Sequence, residues 1–202
     1  MSTYVATISG LAPLLMHRWS ERNEVEEQTR AVHIATRDPR TEAEAVCYRR
    51  EDGTIYLPGA QFARMLRDAG AGHKQRGSRR SLRYIVPAAI IVVDDQIPLL
   101  DARGEAVRDF EVDSRPVVIP ATKGRIMRHR PRFNTWGAEV SVEIDPSLVE
   151  PDLAHQLFIE GGQRLGLGDY RPSSGGPFGR FAVVSWKELG QPTPRKAGRR
   201  SV

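Results

Sequence analysis

The segment Thr54–Gly70, "TIYLPGAQFARMLRDAG", constrains the fold more than any other part of the chain. It opens as a short strand, turns at Pro58-Gly59 and continues as a helix. Phe62, Met65, Leu66 and Ala69 stand at i, i+3, i+4 and i+7, one apolar stripe, and Gly70 stops the helix. A helix apolar along one stripe has to lie against another layer, and strand patterns that can build that layer recur along the chain. "STYVATISGLAPLLMH" is a first strand with Tyr4, Ala6 and Ile8 on one face. "LRYIVPAAIIVVDD" reads as a long apolar strand whose ladder Pro87 breaks, or which Pro87 places at a sheet edge. "AVRDFEVDSRPVVIP" and "GAEVSVEID" read as two more. In the second, Val140, Val142 and Ile144 alternate with Glu139, Ser141 and Glu143, so one face is wet. Pro151 to Arg164 reads as a second helix, with Pro151 in its first turn and Leu153, Leu157 and Phe158 facing inwards. "RFAVVSW" is a last strand. Ser20 to Ala35 is polar with weak helical periodicity, which Asp38-Pro39 ends, and "AGAGHKQRGSRRS" lacks apolar anchors and reads as mobile.

The order strand, helix, strand, strand, helix, strand predicts an α+β fold. It is the ferredoxin-like or RNA-recognition-type βαββαβ sandwich, with an antiparallel sheet and a β-hairpin insertion between strands 2 and 3. One domain is expected over residues 1–186, with the insertion at 94–136 and a basic, disordered tail at 187–202.

At 202 residues and 40% hydrophobic the chain can bury a core, and it holds no apolar run of membrane-helix length. "MSTYVATISG" lacks the features of a secretory signal, so a cytoplasmic protein is expected. The single cysteine, Cys47, excludes an internal disulfide and a thiol cluster for zinc. Net charge is +5, and its distribution is uneven. Ala69 to Val93 has no acid but carries Lys74, Arg76, Arg79, Arg80 and Arg83. Ser114 to Ala138 is also acid-free and carries Arg115, Lys123, Arg125, Arg128, Arg130 and Arg132, while acids gather between Arg18 and Asp52. Such segregation suits either a polyanionic partner or solvated loops, and two runs in one small chain tilt the balance towards nucleic acid.

Three stretches carry candidate chemistry. At Pro58-Gly59-Ala60 the unpaired amides of a helix start suit a phosphate, with Arg64 and Arg67 reaching the backbone beyond; an ordinary strand-to-helix turn is the competing reading. In "KGRIMRHRPRF", strand alternation puts Arg128, Arg130 and Arg132 on one face, beside His129. Ile126, Met127 and Phe133 would wedge against or stack on bases, a mode that holds single strands at ~1–3 kcal/mol per base. A solvated hairpin or an oligomer contact competes. The glycine-rich "GLGDYRPSSGGPFGRF" lacks the Lys-Ser/Thr of a mononucleotide loop and follows a helix rather than a strand, so no cofactor is expected. Gly166, Gly168, Gly175, Gly176 and Gly179 supply backbone freedom, Phe178 and Phe181 anchor the loop, and Asp169, Arg171 and Arg180 cap it or touch a phosphate. Gly161 and Gly162 allow close packing in the preceding helix. His17, beside Arg18, His33 and His129 are the general acid–base candidates, each of which needs a nearby Tyr, Lys or second His. No two histidines have metal-ligand spacing, and no metal is expected.

"GTIYLPGAQFARMLR" (Gly53–Arg67) resembles the strand–turn–helix of the RAMP superfamily, the RNA-binding proteins of CRISPR effector complexes. "ATISGLAPLLMH" is similar to that superfamily's first strand, and the glycine-rich stretch stands where its members carry their glycine loop. Ala60, Gln61, Phe62, Ala63 and Arg64 occupy the places of the usual Ser-Ser-Leu-Lys-Gly, so the N-cap hydroxyl and the lysine are missing. The resemblance implies a modified RNA-recognition-motif fold, with the hairpin as a thumb lying across guide RNA. It implies a CRISPR-associated backbone subunit of antiviral defence that binds single-stranded nucleic acid without cleaving it and polymerises along the strand, beside other effector subunits and away from membranes. RNA is favoured over DNA through the resemblance alone. A metal-independent, histidine-dependent RNA-processing endonuclease of the same superfamily is an alternative. A mobile-element protein coating or annealing single-stranded DNA is another, and a scaffold binding only protein a third. Glu42, Glu44 and Asp52 lie where other members place a cleaving acid, without matching a motif.

Overall fold

The computed structural model describes residues 1–18, 38–75, 77–118 and 124–189. In chain order the elements are β1 (Ser2–Gly10), β2 (Leu14–Leu15), α1 (Pro39–Ala45), β3 (Tyr56–Pro58), α2 (Gly59–Ala69), α3 (Val86–Ala89), β4 (Ile90–Val92), β5 (Gln96–Pro98), β6 (Glu111–Val118), β7 (Arg125–Phe133), β8 (Gly137–Ile144), α4 (Pro151–Glu160) and β9 (Phe181–Leu189). The fold is α+β with antiparallel sheets. The main sheet runs β4-β8-β1-β9, a second runs β2-β7-β6, and β3 pairs with β5.

The core lies where period-two and period-3.6 patterns meet. Ala6 and Ile8 of β1, with Val140, Val142 and Ile144 of β8, share one buried cluster with Phe62, Met65 and Leu66 of α2 and Leu157 and Phe158 of α4. Burying a side chain the size of Phe62 contributes on the order of 2–3 kcal/mol. After α4 the chain widens into a π turn, Gly161–Leu165. A Cβ on Gly161 would press on Met65 and one on Gly162 would strike Phe181. These glycines let α4's end sit close against α2 and β9.

Three expectations are corrected. Leu82 to Asp95 is not one long strand: a 3-10 turn (Leu82–Tyr84) and α3 precede the three-residue β4. Pro87 sits in the first turn of α3, where its fixed φ fits and no N–H is required. The edge placement does hold, since β4 borders the sheet. Pro39 also opens α1, and the Asp38 carboxylate accepts from the Thr41 amide at 2.8 Å. The stretch after α2 is fastened by its backbone, with Gln75 N–H donating to Arg80 C=O and Leu82 N–H to His73 C=O, both at 2.9 Å. β9 continues to Leu189, past the expected boundary at 186. The Ser20–Ala35 segment, Arg76, Lys123 and the tail from 190 lie outside the described residues. Among the described residues no helix is long and apolar enough to cross a membrane.

Candidate nucleic-acid interface

The glycine-rich loop leaves the π turn and runs back along the start of α2, stitched down by backbone bonds. Leu167 N–H donates to Gly179 C=O (2.9 Å), Gly179 N–H to Pro13 C=O (2.8 Å) and Asp169 N–H to Leu15 C=O (2.8 Å). Gly168 N–H donates to Gln61 Oε1 (3.1 Å), so a side chain on the first turn of α2 clamps the loop. Gly168 has φ +72°, and a Cβ there would collide with the Leu15 carbonyl oxygen. Only glycine passes at this point. Arg171 straps the loop from within, donating from Nη1 to Gly168 C=O (2.7 Å) and from Nε to Ser173 Oγ (2.8 Å). Phe178 and Phe181 are buried, and the Phe181 ring meets Phe62 and Trp136. Gly175 takes φ +78°, and Gly176 passes tightly over the Tyr170 carbonyl.

This packing leaves a groove of about 380 Å³ where three sequence-distant segments meet. His17 comes from the end of the first segment; Pro58, Ala60, Gln61, Arg64 and Asp68 from the strand–helix junction and α2; Gly166, Gly168, Asp169, Arg171 and Ser173 from the loop. Helix geometry leaves the first amides of α2 without intrahelical partners at this end. Tyr48 lines the groove, and burial pushes its hydroxyl pKa up, with a hydrogen bond to Gln61 opposing. Arg64 is two-thirds exposed. Gln61, Tyr48 and Asp68 had not been singled out as site residues; the signal at Gln61 was its departure from the Ser-Ser-Leu-Lys-Gly pattern. Gly59 departs from expectation. It is buried, its N–H donates to Asp95 C=O (2.8 Å), and a Cβ would strike the Asp94 carbonyl. Its amide is therefore spent inside the protein.

The β6–β7 register places Arg115, Asp113 and Glu111 opposite Arg128, Arg130 and Arg132. Cross-strand pairs share a face, so the three arginines do lie together, but that face meets acids. Arg130 Nε lies 2.6 Å from Asp169 Oδ2, with the arginine only 11% exposed. Asp113, 5% exposed, pairs with Arg115 at 2.6 Å and Arg132 at 3.7 Å. The Arg115 guanidinium also stands 4.5 Å over the Phe178 ring. Arg130 and Arg132 thus fasten the ribbon to itself and to the glycine loop. Phe133 is likewise corrected: it is buried against Phe110 (6.4 Å between ring centroids) and offers no face to a base. The other face of the ribbon carries exposed Pro116, Val118 and Met127, with Arg125 near the tip. His129 Nδ1 stands 2.7 Å from Ser114 Oγ there, and is not among the groove residues.

Lys74, Arg79 and Arg80 are exposed beyond the C-terminal end of α2, about 16 Å from its start at 1.5 Å per residue. Arg18 is exposed, and Arg180 Nε donates to Gln163 C=O (3.1 Å). Among the described residues no three His, Cys, Asp or Glu are grouped to hold a metal ion. Burial pushes the Cys47 thiol up to about 12, the state of an inert structural cysteine.

No protein-family model and no curated protein matches the chain. Among solved structures it is similar to a chain of a Type IV-B CRISPR complex, at 13% identity and TM-score 0.46, over 99% of this chain and 95% of that one. It is also similar to Cmr6 from Pyrococcus furiosus, at 11% identity and TM-score 0.41, over 91% of this chain and 99% of that one.

Proposed function

We propose that this chain is a non-catalytic, RAMP-like protein that binds single-stranded nucleic acid, RNA in preference to DNA, and assembles with further copies along the strand. The observation that carries the reading is the groove: the three segments that resemble superfamily motifs, far apart in sequence, line one cleft containing His17, Arg64 and Arg171. The sheet order β4-β8-β1-β9, with α2 between β1 and β4 and α4 between β8 and β9, supports treating these elements as the βαββαβ unit and the β6–β7 ribbon as its thumb. In this reading the groove cations and the first α2 amides hold the backbone. Exposed Arg125 and Met127 on the ribbon, and Arg18, Lys74, Arg79, Arg80 and Arg180, extend the contact.

Fluorescence anisotropy of a labelled unstructured RNA across a salt series tests it, with DNA of the same sequence as the second arm. Neutralising about five phosphates gives a slope of log affinity on log salt near −3.5, at roughly −0.7 per phosphate. Affinity independent of salt sinks the proposal. A size profile and the A260/A280 ratio before and after nuclease treatment test assembly along a bound strand. One observation favours a second reading, a metal-independent RNA endonuclease: His17 lines the groove. RNA cleavage in EDTA that is lost in His17→Ala would replace the first reading with this one.

A further inference from the structure

Asp68 sits on the rim of the groove beneath three guanidinium groups from two elements. Arg67 donates from Nε and Nη2 to Asp68 Oδ1 (3.0 and 2.9 Å), Arg83 Nη2 lies 3.3 Å from the same oxygen, and Arg64 Nε lies 3.9 Å from Oδ2. Arg83 belongs to the 3-10 turn Leu82–Tyr84, whose N-cap Ser81 accepts from the Arg83 amide. Ion pairs this exposed contribute little to stability, so stability does not account for three arginines on one carboxylate. The chemistry accounts for more. Each guanidinium has five N–H donors, and one carboxylate cannot use them all. Three cations on one anion leave two net positive charges on a patch where the arginines are 38 to 66% exposed. Held in place by the carboxylate, they surrender less conformational freedom to an arriving anion.

We infer that Arg64, Arg67 and Arg83 form a phosphodiester clamp whose geometry is set by Asp68, and that it receives the strand as it leaves the groove along α2. This rests on the nucleic-acid reading above. Guanidinium forks match phosphate oxygens in pairs, and Arg64 and Asp68 also line the groove, so clamp and groove are continuous. Lys74, Arg79 and Arg80 are exposed on the segment that joins α2 to Arg83. Asp68 is a positioning residue, not itself a contact with the strand.

The test titrates the full-length protein with a labelled uridine dinucleotide as the short-strand arm and with a long oligouridylate. Arg67→Gln combined with Arg83→Gln is expected to weaken long-RNA binding about tenfold and to flatten its salt slope by about 1.4, at roughly −0.7 per cation. Dinucleotide binding should weaken less than long-RNA binding. Asp68→Asn is expected to weaken long-RNA binding several-fold although it removes a negative charge, and Asp68→Glu to restore most of it. Tighter or unchanged binding in Asp68→Asn overturns the positioning role. Wild-type affinity and slope in the Arg67→Gln, Arg83→Gln protein overturn the clamp while leaving the groove standing. Failure of the wild-type protein to bind either RNA removes the nucleic-acid reading itself. Polyglutamate competing as well as RNA of equal charge would assign the patch to an acidic protein partner instead. Unchanged far-UV circular dichroism shows that each variant is folded.

Discussion

On the β6–β7 ribbon, Arg115, Arg130 and Arg132 face Asp113 and Asp169, whereas Arg64, Arg67 and Arg83 at α2 share Asp68 alone. On the ribbon, nearly buried Arg130 and Asp113 tie separate segments through Asp169 and Arg132, while Arg115 pairs within its own strand. The α2 group draws on α2 and the turn that follows it, and among the described residues its three arginines share one carboxylate. Both regions lie in or beside acid-free runs of the sequence, but freedom from acids along the chain is not freedom from acids in space. Asp169, on a loop far along the chain, neutralises Arg130 because the glycine loop lies under the ribbon. A cation is left for a ligand only where folding has not matched it with an equal opposite charge.

The contrast makes predictions of decreasing size. The largest effect is expected where the ribbon is received. Gly168→Ala forces a Cβ into the Leu15 carbonyl at φ +72° and should cost about 3 kcal/mol or more in urea unfolding. If it unfolds like the wild type, the loop is not the rigid seat described. Arg130→Ala should cost about 2 kcal/mol, below the 3–5 kcal/mol of a fully buried broken pair because Asp169 is a third exposed. Its RNA salt slope should not change, and a slope flattened as in the α2 variants would erase the distinction between the regions. Arg64→Glu, at a two-thirds exposed site, should do the reverse, changing the unfolding free energy by no more than about 0.5 kcal/mol. RNA binding should weaken at least tenfold, about 1.4 kcal/mol.

The smallest effect concerns a tie between the basic stretch after α2 and the C-terminal end of α4. His73 Nε2 lies 3.2 Å from Glu160 Oε2. Burial pushes the Glu160 carboxyl pKa up, but hydrogen bonds from Gln156 and His73 and the charge of Arg164 outweigh it and hold it below its ordinary value of 4.5. A lowered carboxylate pKa stabilises the fold above the ordinary value, and that stability is lost as pH falls through the lowered one. Glu160→Gln should therefore be slightly less stable than the wild type at neutral pH, and the difference should vanish on acidification. A difference that persists in acid would mean that shape, not charge, fastens the turn.

Much of the fold was legible because periodicity is a local property. The stripe of Phe62, Met65, Leu66 and Ala69, the alternation of β1 and β8, and the inward residues of α4 all lie where their spacing puts them. Proline misled at Pro87, which opens a helical turn whose only mark is a fixed φ that strand edges also accept. The site was half legible. His17, Arg64, Gly166, Gly168 and Arg171 do share a groove, while Gly59, Phe133, Arg130 and Arg132 are absorbed into the fold.

The sequence by itself determined which faces are apolar, which backbone positions require glycine, and that cations outnumber acids in two runs. Each follows from residue chemistry and near-neighbour spacing. Only the tertiary structure decided which of those cations remain available, because pairing depends on which acids the fold brings within a few ångströms, as it does Asp169 to Arg130 across 39 residues of sequence. On the ribbon that approach supplied Asp113 and Asp169. Around Asp68 it supplied more arginines than one carboxylate can neutralise.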